Sequence, residues 1–394
     1  MTSVRTPDAH PGSTSGQVPE DRRPVSDGTH PETEVLFKEA KRRDRQRRII
    51  VATVVLVAFG SLVAATAHAR RPPASPRGLS PSAGERQPGG IRGGSIVPLE
   101  VAGPLAVSPR GVLYVADEGR DQILERLPHG QFRVVAGDGQ HGFTGDGGPA
   151  TQAELAGVSD LTVAEDGSLY FSDGGRVRVV NATGIIRTIA GDGGTGELVA
   201  SGTDARRASL GSQISLAFSP AGELYLGTSS QLLRLTTDGT LLTVPAVVPS
   251  GPLKGNLASF DQIVVDPQGD VDVATTYAGW SIFEIAPDGV AAEVLGNARR
   301  NGGSTSILGR EPNGIVVGED GTQLMEVEGG RLVPLYTFGH VPGTKWFTLT
   351  YFAFAPNGTV YADDIGGGGF QPSQQLVSVI DGHVAVLWHH RIES

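Results

Sequence analysis

Four polar side chains stand at matching positions along the chain and could act together as ligands. Each lies at the start of a short apolar segment, and the four are Asp160, Gln213, Asp261 and Asn313. Their carboxylate and amide oxygens suit a hard cation, and they suit hydrogen bonding to a polar ligand equally well. The residue types therefore allow either a cation site or a set of solvated polar groups around one binding mouth.

A glycine-rich stretch is the second candidate for chemistry. The glycine loop, Val134 to Leu155, reads VVAGDGQHGFTGDGGPATQAEL, and Asp138 and Asp146 could offer oxygens to calcium. It lacks the spaced acidic ligands and the terminal Glu of an EF-hand, and no phosphate-binding GxxxxGK[ST] motif is present. Its opening recurs as TIAGDGG at Thr188 to Gly194. The recurrence favours a shaped connection between structural repeats, with calcium as the one cofactor to consider.

Enzymatic motifs are absent from the sequence, which contains neither G-x-S-x-G nor H-E-x-x-H. A group of aromatic residues in the later part of the chain offers a different kind of site, since aromatic side chains are favoured at interface hot spots. They form either a recognition patch or packing between repeats, and they are Tyr277, Trp280, Trp346, Phe347 and Tyr351.

The elements that position these residues follow one repeated pattern of short strands. Each copy has an apolar strand, a glycine turn, an alternating strand, a third strand, a second turn and a fourth strand. The first turn of each copy is marked by Gly111, Gly167, Gly222, Gly269, Gly321 and Gly358. Four-stranded units at intervals of 37 to 56 residues predict an all-β fold, a six-bladed β-propeller with four-stranded antiparallel blades. The strand starts that carry the four polar residues would then ring one mouth of the central channel.

Three of these segments carry a family resemblance. The glycine loop together with GSLYFSD and GRVRVV resembles the NHL-repeat β-propellers, in particular the bacterial exported type. The resemblance is strong from Pro104 to Gly193, and beyond it the strand and turn rhythm continues. It implies a toroid whose central channel serves as a binding platform. The predicted architecture is also similar to that of six-bladed lactonases, which do not share the glycine motif.

The first ninety or so residues divide into three segments. Residues 1–48 form a polar tail, predicted to be disordered, that ends in the basic run KRRDRQRR. Residues 49–69 are uncharged if His68 is neutral, and they are long enough for a transmembrane helix. Residues 70–93 form a Pro- and Gly-rich stalk, which leaves 94–394 for the propeller.

Charge sets the predicted topology and narrows the partners. The basic residues before the span place the N-terminus in the cytoplasm and the propeller outside the cell, although cleavage after Ala69 would release a secreted form. From Gly94 onward, 17 Lys or Arg face 33 Asp or Glu, a net charge of −16 that disfavours nucleic acid. The chain has no Cys, which excludes disulfides and thiolate chemistry.

The sequence therefore predicts a membrane-anchored, single-pass extracellular propeller. It would bind a protein, a peptide or a cell-wall glycan without transforming it. The alternative is a metal-dependent lactonase or esterase-like hydrolase at the channel mouth.

Overall fold

The structure is a computed structural model that describes residues 91, 93–250, 254–275, 281–295, 308–311, 314–319, 323–328, 331–337, 346–367, 372–380 and 383–391. Within these ranges the fold is all-β, with two single 3-10 turns at Ala150–Gln152 and Ala205–Arg207. The predicted tail and transmembrane segment lie outside the described residues. Across the part of the chain that is described, no helix is long and apolar enough to cross a membrane.

Three sheets make up the first half of the domain. Sheet 1 contains β1 (Ile96–Val97), β2 (Ala102–Val107), β3 (Leu113–Asp117), β4 (Gln122–Arg126) and β5 (Phe132–Ala136); sheet 2 contains β6 (Val158–Val163), β7 (Leu169–Asp173), β8 (Arg176–Val180) and β9 (Ile186–Ala190); sheet 3 contains β10 (Thr203–Asp204), β11 (Ile214–Phe218), β12 (Leu224–Thr228), β13 (Leu232–Leu235) and β14 (Thr240–Val244). The short strands β1 and β10 extend the outer edges of sheets 1 and 3.

The second half repeats the same arrangement after a small two-stranded sheet, β15 (Val247–Val248) and β16 (Gly255–Asn256). Sheet 4 contains β17 (Gln262–Val265), β18 (Val271–Thr275), β19 (Ser281–Ile285) and β20 (Ala291–Leu295); sheet 5 contains β21 (Leu308–Glu311), β22 (Gly314–Glu319), β23 (Gln323–Glu328) and β24 (Arg331–Thr337); sheet 6 contains β25 (Trp346–Phe354), β26 (Val360–Gly367), β27 (Pro372–Ile380) and β28 (His383–Arg391). The domain is an all-β propeller with four-stranded antiparallel blades.

Inner strands pack against inner strands. β2, β6, β11, β17, β21 and β25 contact one another in that order, and β25 contacts β2. Because neighbouring sheets cover both faces of each blade, apolar side chains from successive sheets form the cores between them. Phe171 of sheet 2 shares a core with Tyr114 of sheet 1, and Phe283 of sheet 4 shares one with Leu232 of sheet 3.

The first turn of five of the repeats depends on glycine. Gly111, Gly167, Gly222, Gly269 and Gly358 have φ between 79° and 88°, a left-handed conformation that costs other residues energy. The fifth repeat differs from the sequence prediction, which began its inner strand at Gly314. The structure makes Leu308–Glu311 the inner strand and Gly314–Glu319 the second strand. The polar, glycine-containing segment LGRE gave no apolar signal for an inner strand, which explains the error.

Sheet 6 is fastened to sheet 1 by a buried amide. Gln374 is 3% exposed; its Oε1 accepts from the Ala102 N–H at 3.0 Å and its Nε2 donates to the Ala102 carbonyl at 2.6 Å. The Trp388 indole N–H donates to the Leu99 carbonyl at 2.9 Å. These contacts join the last repeat to the start of the first.

Candidate functional site

The inner strands surround a cavity of about 530 Å³ that forms the central channel. Asp160 on β6, Gln213 immediately before β11 and Asp261 immediately before β17 all line it. The structure thus brings three of the four sequence-predicted residues to one channel. Asn313 lies outside the described residues; in chain order it falls between β21 and β22, so it does not precede the inner strand as the repeat pattern predicted.

Asp160 ties three inner strands together. Its Oδ1 accepts from the Leu161 N–H at 2.7 Å, and its Oδ2 accepts from the Leu216 N–H at 2.7 Å and the Ser215 hydroxyl at 3.1 Å. The Ser215 Oγ in turn accepts from the Ile263 N–H on β17 at 3.1 Å. Both carboxylate oxygens therefore already accept hydrogen bonds from the protein, so the main role of Asp160 is to hold neighbouring strands together.

Burial raises the pKa of Asp160 to about 6, against the lowering effect of the hydrogen bonds from Leu216, Ser215 and Leu161. The residue as a whole is half-buried in the wall of the channel. The charge of this channel wall therefore changes between pH 5 and 7. Gln213 and Asp261 are both exposed at the channel wall.

A second cavity of about 380 Å³ adjoins the channel and shares Ser159, Gln213 and Tyr351 with it. Its wall adds Glu118, whose carboxylate is hydrogen-bonded to the Tyr351 hydroxyl. Burial, then the nearby Glu118, Asp363 and Asp160 charges, raise the pKa of Tyr351 to about 12. Tyr351 thus faces the channel as a neutral phenol.

Sequence reasoning missed Glu118 as a residue of the cavity that adjoins the channel. The signal was its position directly after β3, because β3 runs antiparallel to β2 and ends at the mouth where β2 begins. The other members of the aromatic group are placed differently. Tyr277 and Trp280 lie outside the described residues, and Trp346 and Phe347 lie at the start of β25.

In sheets 1 and 2, a buried aspartate at the end of the second strand fixes the chain where it enters the inner strand. Asp117 accepts from the Glu100 N–H at 2.9 Å and the Val101 N–H at 3.1 Å, and Asp173 accepts from the Ala156 N–H. Both side chains are at most 1% exposed, and burial raises the pKa of each. These repeated Asp residues are therefore structural.

The glycine loop is held by Arg178, which is fully buried. Its guanidinium donates to Asp146 Oδ1 at 2.8 Å, to Asp173 Oδ2 at 3.0 Å, to the Glu154 carbonyl at 2.8 Å and to the Thr144 carbonyl at 3.0 Å. In the sequence, Arg178 lies within the GRVRVV strand, which gave no sign of this role. The arginine links the loop to the end of β7.

Asp146 is engaged by protein groups on both carboxylate oxygens, because the Thr188 N–H donates to its Oδ2 at 2.7 Å. Burial acts to raise the pKa of Asp146, but hydrogen bonds from Thr188 and Arg178 outweigh it and hold the pKa below its usual value. Asp138 accepts from the Gln140 N–H at 2.9 Å within the loop. Across the described ranges, no group of three or more His, Asp or Glu side chains is arranged to hold a metal ion.

Comparison with known proteins agrees with this geometry over part of the chain. Residues 128–201 match the family model described as the Teneurin NHL domain. The match and the four-stranded blades define an NHL-type β-propeller domain. Teneurin-m of Drosophila melanogaster is 32% identical over 102 residues, 22% of this chain and 4% of the relative. Human Teneurin-4 is 39% identical over 94 residues, 21% of this chain and 3% of the relative. The chain thus matches only a small fraction of these relatives' length.

Solved structures with a similar fold include two bacterial proteins. A virginiamycin B lyase from Staphylococcus aureus is 12% identical, with a TM-score of 0.43 over 72% of this chain and 83% of that chain. A gluconolactonase from Xanthomonas campestris is 15% identical, with a TM-score of 0.44 over 68% of this chain and 83% of that chain.

Proposed function

We propose that this protein is a binding module that recognises an extracellular protein, peptide or cell-wall glycan at the mouth of its channel. The observation that carries the proposal is the convergence of Asp160, Gln213 and Asp261 on one channel. Concave sites with a few convergent polar groups are where ligands bind on most folds. Glu118 and Tyr351 extend the same mouth with a carboxylate and a neutral phenol.

The proposal includes the architecture and the location. The inner-strand contacts that run from β2 to β25 and back to β2 support six blades closed into one ring. Residues 49–69 would anchor the chain in the cell membrane, with residues 1–48 in the cytoplasm and the propeller displayed outside. Residues 70–93 would hold most of the domain away from the bilayer.

The test is ligand capture by the full chain in detergent, with a panel of cell-wall fragments and peptides and with isothermal calorimetry for each hit. Asp261→Asn and Gln213→Ala change exposed mouth residues, so we expect at least a tenfold loss of affinity without a change in melting temperature. The matched control is Glu165→Gln, which neutralises an exposed carboxylate in the turn that follows the inner strand β6. Equal affinity in all three variants would refute binding at this mouth.

The same preparation separates binding from hydrolysis. We expect no turnover of aliphatic lactones or p-nitrophenyl esters with or without added calcium. Turnover that chelation abolishes and that falls in Asp160→Asn would replace the binding module with a metal-dependent hydrolase.

A further inference from the structure

A tyrosine recurs at the second position of the second strand in sheets 1, 2 and 3 as Tyr114, Tyr170 and Tyr225. In sheet 1, Tyr114 lies across from Glu125, and Glu125 lies across from Arg133. The Arg133 guanidinium binds the Glu125 carboxylate at 2.6 Å. Sheet 1 thus supplies its own partner for the arginine of its fourth strand.

Sheet 2 has the same arginine without the partner. Tyr170 lies across from Val179, and Val179 lies across from Arg187, so valine stands where sheet 1 has glutamate. Arg187 is exposed, and among the described residues it forms no salt bridge. Its charge is available to a ligand.

The space above the two tyrosines also differs. In the core between sheets 1 and 2, Ile91 is 1% exposed, and its backbone is hydrogen-bonded to the Tyr114 hydroxyl. Two residues later, Gly93 packs directly on the Arg133 side chain. Ile91 and Gly93, which the sequence prediction assigned to the stalk, therefore cover Tyr114 and Arg133, and Tyr114 is 1% exposed.

The matching space between sheets 2 and 3 is open. It is a crevice of about 590 Å³, and its wall includes the half-buried Tyr170 and Phe218 and the exposed Arg187 and Arg206. The Tyr170 and Phe218 rings meet edge to face at 5.0 Å, which gives the crevice an apolar floor. We call it the second crevice.

We propose that the second crevice binds an extended peptide segment of a partner protein, with an aliphatic side chain over Tyr170 and a carboxylate on Arg187. The contacts of Ile91 with Tyr114 and of Gly93 with Arg133 show how a peptide can fit the homologous space. The missing glutamate at Val179 shows which group the ligand must supply.

Charge supports the carboxylate. Of the acidic residues in the wall, Glu223 binds Arg234, and Asp238 accepts from Thr236 and Thr240, which hold its pKa below the usual value. Arg206, like Arg187, forms no salt bridge among the described residues. The domain carries a net charge of −16, but salt largely screens exposed charges that lie more than roughly 8 Å away, so the two arginines dominate at contact.

The second crevice shares Phe218 with the wall of the channel but lies away from the channel mouth. Tyr170 pairs with Thr162 near the end of β6, whereas Asp160 lies near its start. Loss of binding at one surface would leave the other intact, so the two proposals stand or fall independently.

The test uses two labelled nonapeptides with the sequence of residues 89–97, one carrying Gly93→Asp and the other the isosteric neutral Gly93→Asn. Fluorescence anisotropy would measure their affinity for the full chain. We expect the Asp peptide to bind about fivefold or more tightly than the Asn peptide, a difference that shrinks at high salt. Failure of both peptides to bind would overturn the proposal.

Protein variants locate the contact. Arg187→Gln is expected to abolish the preference for the Asp peptide, and Val179→Glu is expected to do the same by supplying the internal partner. Arg207→Gln is the matched control, because Arg207 is exposed near Asp204 and does not line the crevice. If Val179→Glu fails to fold, Arg187→Gln at an exposed position still decides. A preference for the Asp peptide that survives Arg187→Gln would refute the site. If an oligogalacturonate displaces the peptide with an affinity equal to that of the Asp peptide, the crevice would be assigned to anionic glycans instead.

Discussion

Replacing Arg178 is the sharpest test of how the glycine loop is held. Arg178→Met keeps an unbranched apolar stem as far as the Nε position and removes the guanidinium that binds Asp146, Asp173 and two carbonyl oxygens. Asp173 is fully buried, so the variant leaves a buried carboxylate without its cationic partner. Breaking a buried ion pair in this way costs about 3–5 kcal/mol, and we expect that loss in the free energy of unfolding.

The measurement is urea unfolding of the full chain, followed by tryptophan fluorescence at pH 8 and pH 5. Burial already raises the pKa of Asp173, and removal of Arg178 will raise it further, so the folded variant binds a proton that the unfolded chain releases. An acid whose folded pKa is raised loses stability as pH rises. The gap between the variant and the wild type should therefore narrow at pH 5.

Two companion variants separate charge from packing. Asp173→Asn in the Arg178→Met background should recover part of the loss, since it removes the unpaired charge. Arg176→Met is the matched control on the same strand; this half-buried arginine lies 4.1 Å from the centre of the Phe143 ring and should cost about 1 kcal/mol or less. A loss below about 1 kcal/mol in Arg178→Met, or no recovery with Asp173→Asn, would refute the role assigned to this arginine.

Three further predictions concern the channel, the glycine loop and the ring closure. Stability should fall as pH rises from about 4 to 6 because burial raises the pKa of Asp160 to about 6, and this part of the pH dependence, measured by chemical unfolding, should vanish in Asp160→Asn. Gly137→Ala should lower the melting temperature more than Gly111→Ala, since both glycines have positive φ but only the Gly137 Cβ would meet a backbone oxygen, at 2.3 Å; equal shifts would contradict this. Gln374→Leu should lower the free energy of unfolding by about 2 kcal/mol, because it leaves the Ala102 backbone groups unpaired. An unchanged urea midpoint would show that the hydrogen bonds between Gln374 and Ala102 are dispensable.

Much of the propeller could be predicted from the sequence because its turns and inner strands depend on the type of each residue at its own position. A turn that requires positive φ is visible as glycine, and an inner strand covered on both sides is visible as an apolar run. The prediction failed at β21, where Leu308–Glu311 has no apolar run. Strand pairing across the sheet, rather than local composition, assigns this segment.

The sequence by itself determined the repeat, the glycine turns and the strand starts that carry Asp160, Gln213 and Asp261. Only the tertiary structure decided what those residues contact, because their partners come from other repeats. Asp160 accepts hydrogen bonds from Leu216 and Ser215 of sheet 3. Glu118 is hydrogen-bonded to Tyr351 across the contact between sheets 1 and 6. Contacts between residues distant in the chain leave no periodicity in a single sequence. The same reason explains why Arg178 looked like an ordinary strand residue and Arg187 like another, although one is buried in a full set of acceptors and the other faces an open crevice.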